Sequence, residues 1–373
     1  MTAMNIGFFN KLASLLFSIA IVGGIYIAQD IKIRSTEEQL TQQAFLALQH
    51  ATEIVEKRTQ TQTHCMDQGV ENFPCYETYY KHLVEQYGVQ GAFDDLKARY
   101  PVSGFIKTQC HQLSHAIGHS ATEFYKTPAE AFSHGDSFCW SGYYHGVMET
   151  IVENIGKKTL PAVLDTICND IPDKREYTFD YYNCVHGLGH GIMTLQNGEL
   201  FTSLALCDNL SGEWEKSACA SGVFMENIMS ETRTGTSKYL KNNDLLYPCN
   251  AVSDTHKPQC FLMQSSHMLA VTGYDWNRVF TACASADAEY RNLCYQSIGR
   301  DASGSTVSDV EKTKNICNLG TNKAQKEGCI SGAARDFISY FHSDVQAKKL
   351  CKALDVSLKS ICQSVVSSYY KVL

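Results

Sequence analysis

A regular spacing of cysteines constrains the fold of this chain more than any other feature. Cysteines recur at intervals of 34 residues at Cys249, Cys283, Cys317 and Cys351. A repeat of this length without strand-like alternation is typical of a helix-turn-helix unit, as in tetratricopeptide arrays, whose stacked units share one core. The two preceding intervals, which begin at Cys168 and Cys207, are 39 and 42 residues long, so the same unit extends upstream with longer loops.

Within each 34-residue unit a second cysteine follows the first after 11 or 12 residues. We expect the first near the end of a helix A and the second near the start of a helix B, because turn-forming residues such as Asn209, Ser211 and Gly212 separate them. A disulfide would clamp this hairpin and stabilise it by about 2 to 3 kcal/mol through the entropy of loop closure. The predicted pairs are Cys65–Cys75, Cys168–Cys184, Cys207–Cys219, Cys249–Cys260, Cys283–Cys294, Cys317–Cys329 and Cys351–Cys362.

Cys110 and Cys139 have no partner within a unit, and we expect them to bridge neighbouring units. The 16 cysteines include no Cys-x2-Cys pair, the spacing typical of zinc ribbons and haem attachment. Disulfides persist in oxidising compartments. The cysteines therefore predict that most of the chain resides in the periplasm, the cell exterior or a secretory lumen.

The N-terminus contains an uncharged apolar segment of 17 residues, Leu12 to Ala28, which approaches membrane-spanning length. Cleavage after Ala28 would place Tyr26 where signal peptidase prefers a small residue, so an uncleaved signal anchor is favoured over a removed signal peptide. Lys11 and Lys32 flank the segment on both sides, and the positive-inside rule gives no clear orientation. The cysteines determine the expected orientation, because they need an oxidising compartment. They predict a single-pass membrane protein whose C-terminal domain is extracytoplasmic.

We therefore predict an all-α protein, in which an N-terminal transmembrane anchor precedes a disulfide-clamped, solenoid-like α/α repeat domain. Residues 1–34 are assigned to a short cytoplasmic N-terminus and the anchor, and residues 35–64 to an amphipathic helix or stalk with Leu40, Ala44 and Leu48 at helical spacing. Residues 65–248 are assigned to N-terminal repeats, and residues 249–373 to the 34-residue repeats.

Charge and architecture limit the partners of such a chain. The net charge of −7 arises from 39 acidic and 32 basic residues without long basic runs, so nucleic acid is not an expected partner. The expected partners are the membrane, through the N-terminal helix, and a peptide or protein on the solenoid surface.

Histidines and carboxylates recur four residues apart in the segments that follow three of the cysteines, Cys110, Cys139 and Cys184, and a single glutamate, Glu226, follows Cys219. Side chains at this spacing share one helix face, and such pairs on neighbouring helices build metal centres in helical proteins. The candidate metal ligands are His111, His115, His119, His145, His186 and His190, and the candidate catalytic carboxylates are Glu149 and Glu226. Gly187, Gly189 and Gly191 accompany two of these histidines, which indicates close approach of a neighbouring helix or a ligand.

The ligand types leave the identity of the metal open. Methionines such as Met148 and Met193 beside imidazoles would suit copper, whereas the carboxylates would suit zinc or iron. Structural packing of the histidines, or a metal-free acid/base or ligand pocket, are the alternative explanations.

Two functions are consistent with the sequence. The first is a metal-dependent hydrolase or oxidase, with Glu149 or Glu226 as general base. The alternative is a solenoid scaffold that binds a peptide, a partner protein or a metal ion without catalysis. The sequence contains no Gly-x-Ser-x-Gly, His-Glu-x-x-His or phosphate-binding glycine motif that would name a reaction.

Overall fold

A computed structural model describes residues 73–369 except 173, 177, 235–236, 307–308 and 342, and it leaves the side chains of 230–234 undescribed. The predicted signal anchor and stalk lie outside the described residues, as does Cys65. Over the described ranges the chain forms helices and no strand, which confirms the all-α fold class. None of these helices combines the length and the apolar character needed to cross a membrane.

The helices follow one another along the chain as helix A and helix B of successive units, as the repeat predicts. Two single 3-10 turns, Leu164–Thr166 and Lys174–Glu176, interrupt the series. The helices are α1 (Phe73–Arg99), α2 (Gly104–Ala121), α3 (Pro128–Phe132), α4 (Gly142–Val163), α5 (Phe179–Leu195), α6 (Leu200–Cys207), α7 (Glu213–Thr234), α8 (Lys257–Met263), α9 (Ser265–Thr272), α10 (Trp276–Ala284), α11 (Arg291–Ser305), α12 (Val310–Asn318), α13 (Lys323–Phe341), α14 (Val345–Ala353) and α15 (Val356–Tyr369).

A left-handed glycine divides two of the long helices. Gly156 in α4 has a φ of 75°, and Gly88 in α1 has a φ of 72°. A residue without a Cβ adopts this conformation at little cost and so ends a helix. Each long helix therefore contains two consecutive segments, and the part of α4 after Gly156 is the helix A of the next unit.

Two of the helices that carry predicted ligands, α2 and α5, begin at hydroxyl caps. The Ser103 side chain accepts a hydrogen bond from the backbone N–H of Ile106 at the start of α2, and the Thr178 side chain accepts one from Tyr181 at the start of α5. An N-cap of this kind satisfies a backbone donor that has no partner within the helix. The caps fix where each helix begins, and with it the direction in which its histidines point.

The helix B elements α2, α4, α5 and α7 pack side by side in chain order. A Cβ added at Gly146 of α4 would lie 2.1 Å from the carbonyl oxygen of His115, and one at Gly222 of α7 would lie 1.9 Å from that of His186. A Cβ does not fit at such distances, so glycine is required for this approach. Close helix packing therefore explains the glycines that accompany the histidines.

The array curves until an early segment meets late helices. The indole of Trp140, which precedes α4, covers Gly304 of α11, and its ring centroid lies 6.1 Å from that of Tyr340 in α13. The Ser137 hydroxyl also donates to the Tyr340 carbonyl oxygen, at 3.4 Å. These contacts join the early and late parts of the helix B series, and Trp140 and Tyr340 both line a cavity there.

Disulfides join the predicted cysteines. Cys110 of α2 is bonded to Cys139 before α4, so this pair bridges neighbouring units as expected. Cys168 and Cys249 lie in turns rather than at the end of a helix A, which corrects their expected placement. The predicted pairs present among the described residues are Cys168–Cys184, Cys207–Cys219, Cys249–Cys260, Cys283–Cys294, Cys317–Cys329 and Cys351–Cys362. This number of disulfides indicates an oxidising, extracytoplasmic compartment.

We expect Cys283→Ala with Cys294→Ala to lower the free energy of unfolding by about 2 to 3 kcal/mol, because the bond closes a short loop in the unfolded chain. The two residues are 11 positions apart and both are buried, so alanine leaves no new polar group in the core. Chemical denaturation of the variant and the parent protein measures the difference. An unchanged denaturation midpoint would show that this disulfide does not stabilise the unit.

Candidate metal centre

Five of the six predicted histidines converge in the core between α2, α4 and α5. Each is at most 7% exposed, in a protein whose other histidines include surface residues such as His134. Imidazoles are rarely buried together without polar partners. The converging residues are His111, His115, His145, His186 and His190.

The ligand atoms of these residues form three overlapping groups. Within each group the atoms lie no more than 4.8 Å from one another. Metal–nitrogen bonds of about 2.0 to 2.1 Å place the ligand atoms of one ion at comparable separations. The groups are His111 with His115 and His145, His145 with His186 and His190, and His115 with Glu149 and His190. His145 belongs to both three-histidine groups, and its ring stacks on that of His190 at 4.3 Å.

Hydrogen bonds fix the tautomers of the two histidines on α2. His111 Nδ1 lies 2.8 Å from the carbonyl oxygen of Cys139, which can only accept, so this nitrogen carries the proton. His115 Nδ1 donates in the same way to Glu149 Oε1 at 3.1 Å. In a neutral imidazole with a protonated Nδ1, Nε2 presents a lone pair. Both Nε2 atoms are therefore available to a metal.

The two histidines on α5 repeat this arrangement. His190 Nδ1 donates to Glu226 Oε2 at 3.0 Å. His186 Nδ1 donates to Ser221 Oγ at 2.7 Å, because the Ser221 hydroxyl itself donates to the Ala218 carbonyl oxygen. The Tyr182 hydroxyl lies farther from the same nitrogen, at 3.2 Å. The Nδ1 atoms of all four rings thus donate to acceptors outside the cluster, and the Nε2 lone pairs point inward.

These inward nitrogens approach one another closely. His115 Nε2 lies 3.1 Å from His111 Nε2, and His190 Nε2 lies 3.3 Å from His186 Nε2. Two lone pairs at hydrogen-bond distance repel each other unless a cation lies between or beside them. The arrangement of the four rings could therefore hold a cation.

Burial keeps the imidazoles in the neutral form that binds metals. Burial, followed by the proximity of other positive groups, lowers the pKa of His111 and of His186 to about 3. Burial likewise holds the pKa of His145 and of His190 well below the ordinary value. A buried neutral imidazole is an electron-pair donor without a competing proton.

Glu149 supplies a buried negative charge at the edge of the group. Burial alone would raise the pKa of this carboxyl, but the interactions with His115 and His119 outweigh it and hold the pKa well below its usual range. Its Oε1 also lies 3.9 Å from His190 Nδ1. An ionised carboxylate that accepts from a ligand imidazole fixes the ring and increases its basicity. Glu149 and Glu226 both occupy this position.

His119 differs from the other predicted ligands. Its side chain is 31% exposed, its Nε2 lies 2.6 Å from Glu149 Oε2, and its ring meets that of His115 edge-on with the ring centres 6.3 Å apart. The structure thus brings five histidines together and places the sixth on the far side of Glu149. Its role as a ligand stays a prediction.

His145 holds the central position and lacks an outer partner. Its Nδ1 is buried and has no hydrogen-bond partner among the described residues. A buried polar atom without a partner costs on the order of 1 to 3 kcal/mol, which a bound ligand would offset. This orphaned nitrogen is an independent sign that the cluster binds something.

The backbone before α4 explains why His145 lies farther along the chain from its cysteine than His186 does from its own. Cys139, Trp140 and Ser141 have φ values of 60°, 56° and 61°, a left-handed conformation that costs energy for residues other than glycine. Because these residues precede the helix, His145 lies six positions beyond its cysteine, whereas His186 lies two beyond Cys184. Strained backbone of this kind is common at functional sites.

Two hydrogen-bond acceptors of the centre, Ser221 and the Cys139 carbonyl oxygen, are not among the residues predicted from the sequence. Ser221 follows Cys219 by two residues, the same offset at which His186 follows Cys184, so the register of the repeat could have revealed it. The Cys139 carbonyl oxygen has no sequence signal, because its direction depends on the left-handed backbone.

A cavity of about 390 Å³ adjoins the centre. His145 and His186 line it, together with Arg300, Arg335 and Asp336. The helix B elements from α4 to α15 all contribute to its wall. A small molecule in this cavity would reach the imidazoles directly.

We expect Glu226→Gln to weaken metal binding, towards the lower end of the about 10- to 100-fold range typical of residues that orient a ligand. Glutamine still offers an oxygen to His190 Nδ1 but removes the charge. Competition with a chromophoric chelator measures the affinity. Glu213→Gln on the same helix is the control, since Glu213 is 88% exposed and pairs with Lys216. Equal affinities of both variants would exclude an orienting role for Glu226.

Comparison of the chain with protein families, with curated proteins and with solved structures finds no match. Function is therefore inferred from the side chains of the centre and the cavity beside it.

Proposed function

We propose that this protein is an extracytoplasmic metalloenzyme that uses its histidine cluster to bind a catalytic transition-metal ion. The observation that carries the proposal is the convergence of four Nε2 atoms whose Nδ1 atoms all donate outward. His145 completes the set as the member common to both three-histidine groups. Glu149 and Glu226 hold the rings of His115 and His190 in place.

The donor set indicates the kind of ion. Imidazole nitrogen suits copper, zinc and iron, whereas magnesium and calcium prefer oxygen ligands. The predicted signal anchor would tether this centre on the oxidising side of a membrane.

Access to the centre favours catalysis over storage. His145 and His186 border the cavity, so a substrate could approach an ion held by these rings. A transition-metal ion in such a position activates water or dioxygen, which corresponds to hydrolysis or oxidation. The chain's own groups would position the substrate and exclude bulk water. Glu149 is held by two histidines and acts as an orienting carboxylate rather than as the general base.

Elemental analysis of the full chain tests the proposal. The protein is produced in an oxidising compartment and purified without chelators, and we expect at least one equivalent of copper, zinc or iron per chain. Turnover of hydrolase and oxidase substrate panels, before and after chelation, tests catalysis. A chain that takes up none of these metals when each is supplied would refute the metal centre. Full occupancy without metal-dependent turnover would refute catalysis and favour metal binding alone.

A further inference from the structure

The cavity beside the histidines has walls suited to a flat molecule. Six aromatic rings contribute to its lining, together with Leu262 and Met225. Aromatic faces bind planar apolar groups by stacking and by edge contacts, and a cavity of about 390 Å³ accommodates a small ligand. The aromatic lining residues are Trp140, Phe179, Tyr182, Trp214, Tyr340 and Tyr369.

Arg300 is the first cationic group of the cavity, and the protein already neutralises it. Its Nη2 lies 2.8 Å from Asp301 Oδ1 and donates to Ser266 Oγ at 2.5 Å. The same atom lies 3.3 Å from the Met263 carbonyl oxygen. Arg300 is therefore a structural cation with few donors left for a ligand.

Arg335 is the second cationic group, and it differs in its partners. Its Nη1 donates to the neutral amide oxygen of Gln296 at 2.9 Å, and its guanidinium lies 5.7 Å from the centre of the Tyr369 ring. No carboxylate of the described residues forms an ion pair with it. Four of its five N–H donors are thus uncommitted to the contacts above, in a planar arrangement that matches a carboxylate or phosphate.

Asp336 does not fully offset this charge. Burial raises its pKa to about 7, while Ser303, Arg300 and Trp140 lower it to a smaller extent. A carboxyl group of this kind is partly protonated at neutral pH. The charge that faces the cavity is therefore positive on the side of Arg335.

We infer that the cavity binds a small anionic substrate with a flat apolar body, whose carboxylate or phosphate group pairs with Arg335 while the body lies between the aromatic walls. The inference rests on the proposed function, because it names the substrate class of the same centre. A molecule anchored in this way would share the cavity with His145 and His186, which also line it. Arg335 would act as a binding and specificity residue.

Tryptophan fluorescence provides the test, because two of the three tryptophans in the chain line the cavity. The probes are 3-phenylpropionate and its neutral amide, 3-phenylpropionamide, titrated into the full chain. We expect the acid to bind at least about tenfold more tightly than the amide, in keeping with a charge-assisted pair. Arg335→Gln should remove this preference and leave the affinity for the amide unchanged.

Arg291→Gln is the matched control, since Arg291 lies on α11, does not line the cavity and donates to the Ala286 carbonyl oxygen. It should keep the preference for the acid. Equal binding of acid and amide by the parent protein, or an unchanged preference in Arg335→Gln, would overturn the inference.

Titrations with metal-loaded and with chelated protein separate this inference from the proposed function. If no metal binds but the acid preference depends on Arg335, the anion site stands and the metalloenzyme proposal fails. If one equivalent of metal binds and neither form prefers the acid, only the substrate class is wrong. Far-ultraviolet circular dichroism of each variant shows that a loss of binding does not result from unfolding.

Discussion

A chain with His145→Ala is expected to lose its metal. His145 is the single residue common to both three-histidine groups, so its removal leaves each of these two groups with two imidazoles. The third group keeps its members, but its carboxylate, Glu149, already accepts from His115 Nδ1. Loss of a direct ligand should cost more than the about 10- to 100-fold that follows loss of an orienting residue. Elemental analysis should therefore find well below one equivalent of metal. Competition with a chelator should show an affinity lowered by more than about 100-fold.

His134→Ala is the matched control. His134 is exposed, it stacks on Tyr125 at 4.0 Å, and it belongs to none of the three groups. This variant should retain the metal of the parent protein. Without metal, His145→Ala should be about as stable as the parent, because it removes a buried nitrogen that has no partner. Unchanged metal affinity in His145→Ala would exclude the proposed ligand set.

The sequence was sufficient to predict the features that depend on local spacing. A loop of 11 or 12 residues between cysteines can close on itself only as a hairpin, so pairs such as Cys317–Cys329 follow from the repeat. Side chains four residues apart share a helix face, so His186 with His190 also follows. Glycines within a helical segment, such as Gly189, predict close packing of a neighbouring helix, and in the structure Gly189 packs against the backbone of Cys219.

Features that depend on how distant units meet could not be predicted. The contact of Trp140 with Tyr340 closes the array, but it joins residues that no repeat register relates. The same closure places Arg335 and two of the histidines, His145 and His186, on the wall of one cavity. Glu149 illustrates a second limit, because its spacing is equally compatible with a ligand, a base or an orienting carboxylate. Only its contacts with His115 and His119 favour the last of these roles.

Gly222→Ala is expected to destabilise the domain and to disrupt the centre together. The added Cβ would lie 1.9 Å from the carbonyl oxygen of His186, and a backbone atom cannot move aside as a flexible side chain can. Overpacking of this kind costs about 1 to 3 kcal/mol and occasionally more. We expect the upper part of this range, measured by chemical denaturation. Separation of α5 from α7 would also pull His190 away from Glu226, so metal affinity should fall.

Gly104→Ala separates this effect from a general effect of replacing glycine. Gly104 is the first residue of α2, and no other atom lies within 4 Å of an added Cβ. This change should be neutral or stabilise the protein by about 0.4 to 1 kcal/mol, because alanine restricts the unfolded chain.

The gain in stability on metal binding also distinguishes Gly222→Ala from Gly104→Ala. A ligand at 100 times its dissociation constant stabilises the folded state by about 2.7 kcal/mol. The parent protein and Gly104→Ala should both gain this stability when metal is supplied, whereas Gly222→Ala should gain less at the same concentration. An equal gain in all three proteins would mean that the close approach of α5 and α7 does not shape the metal centre.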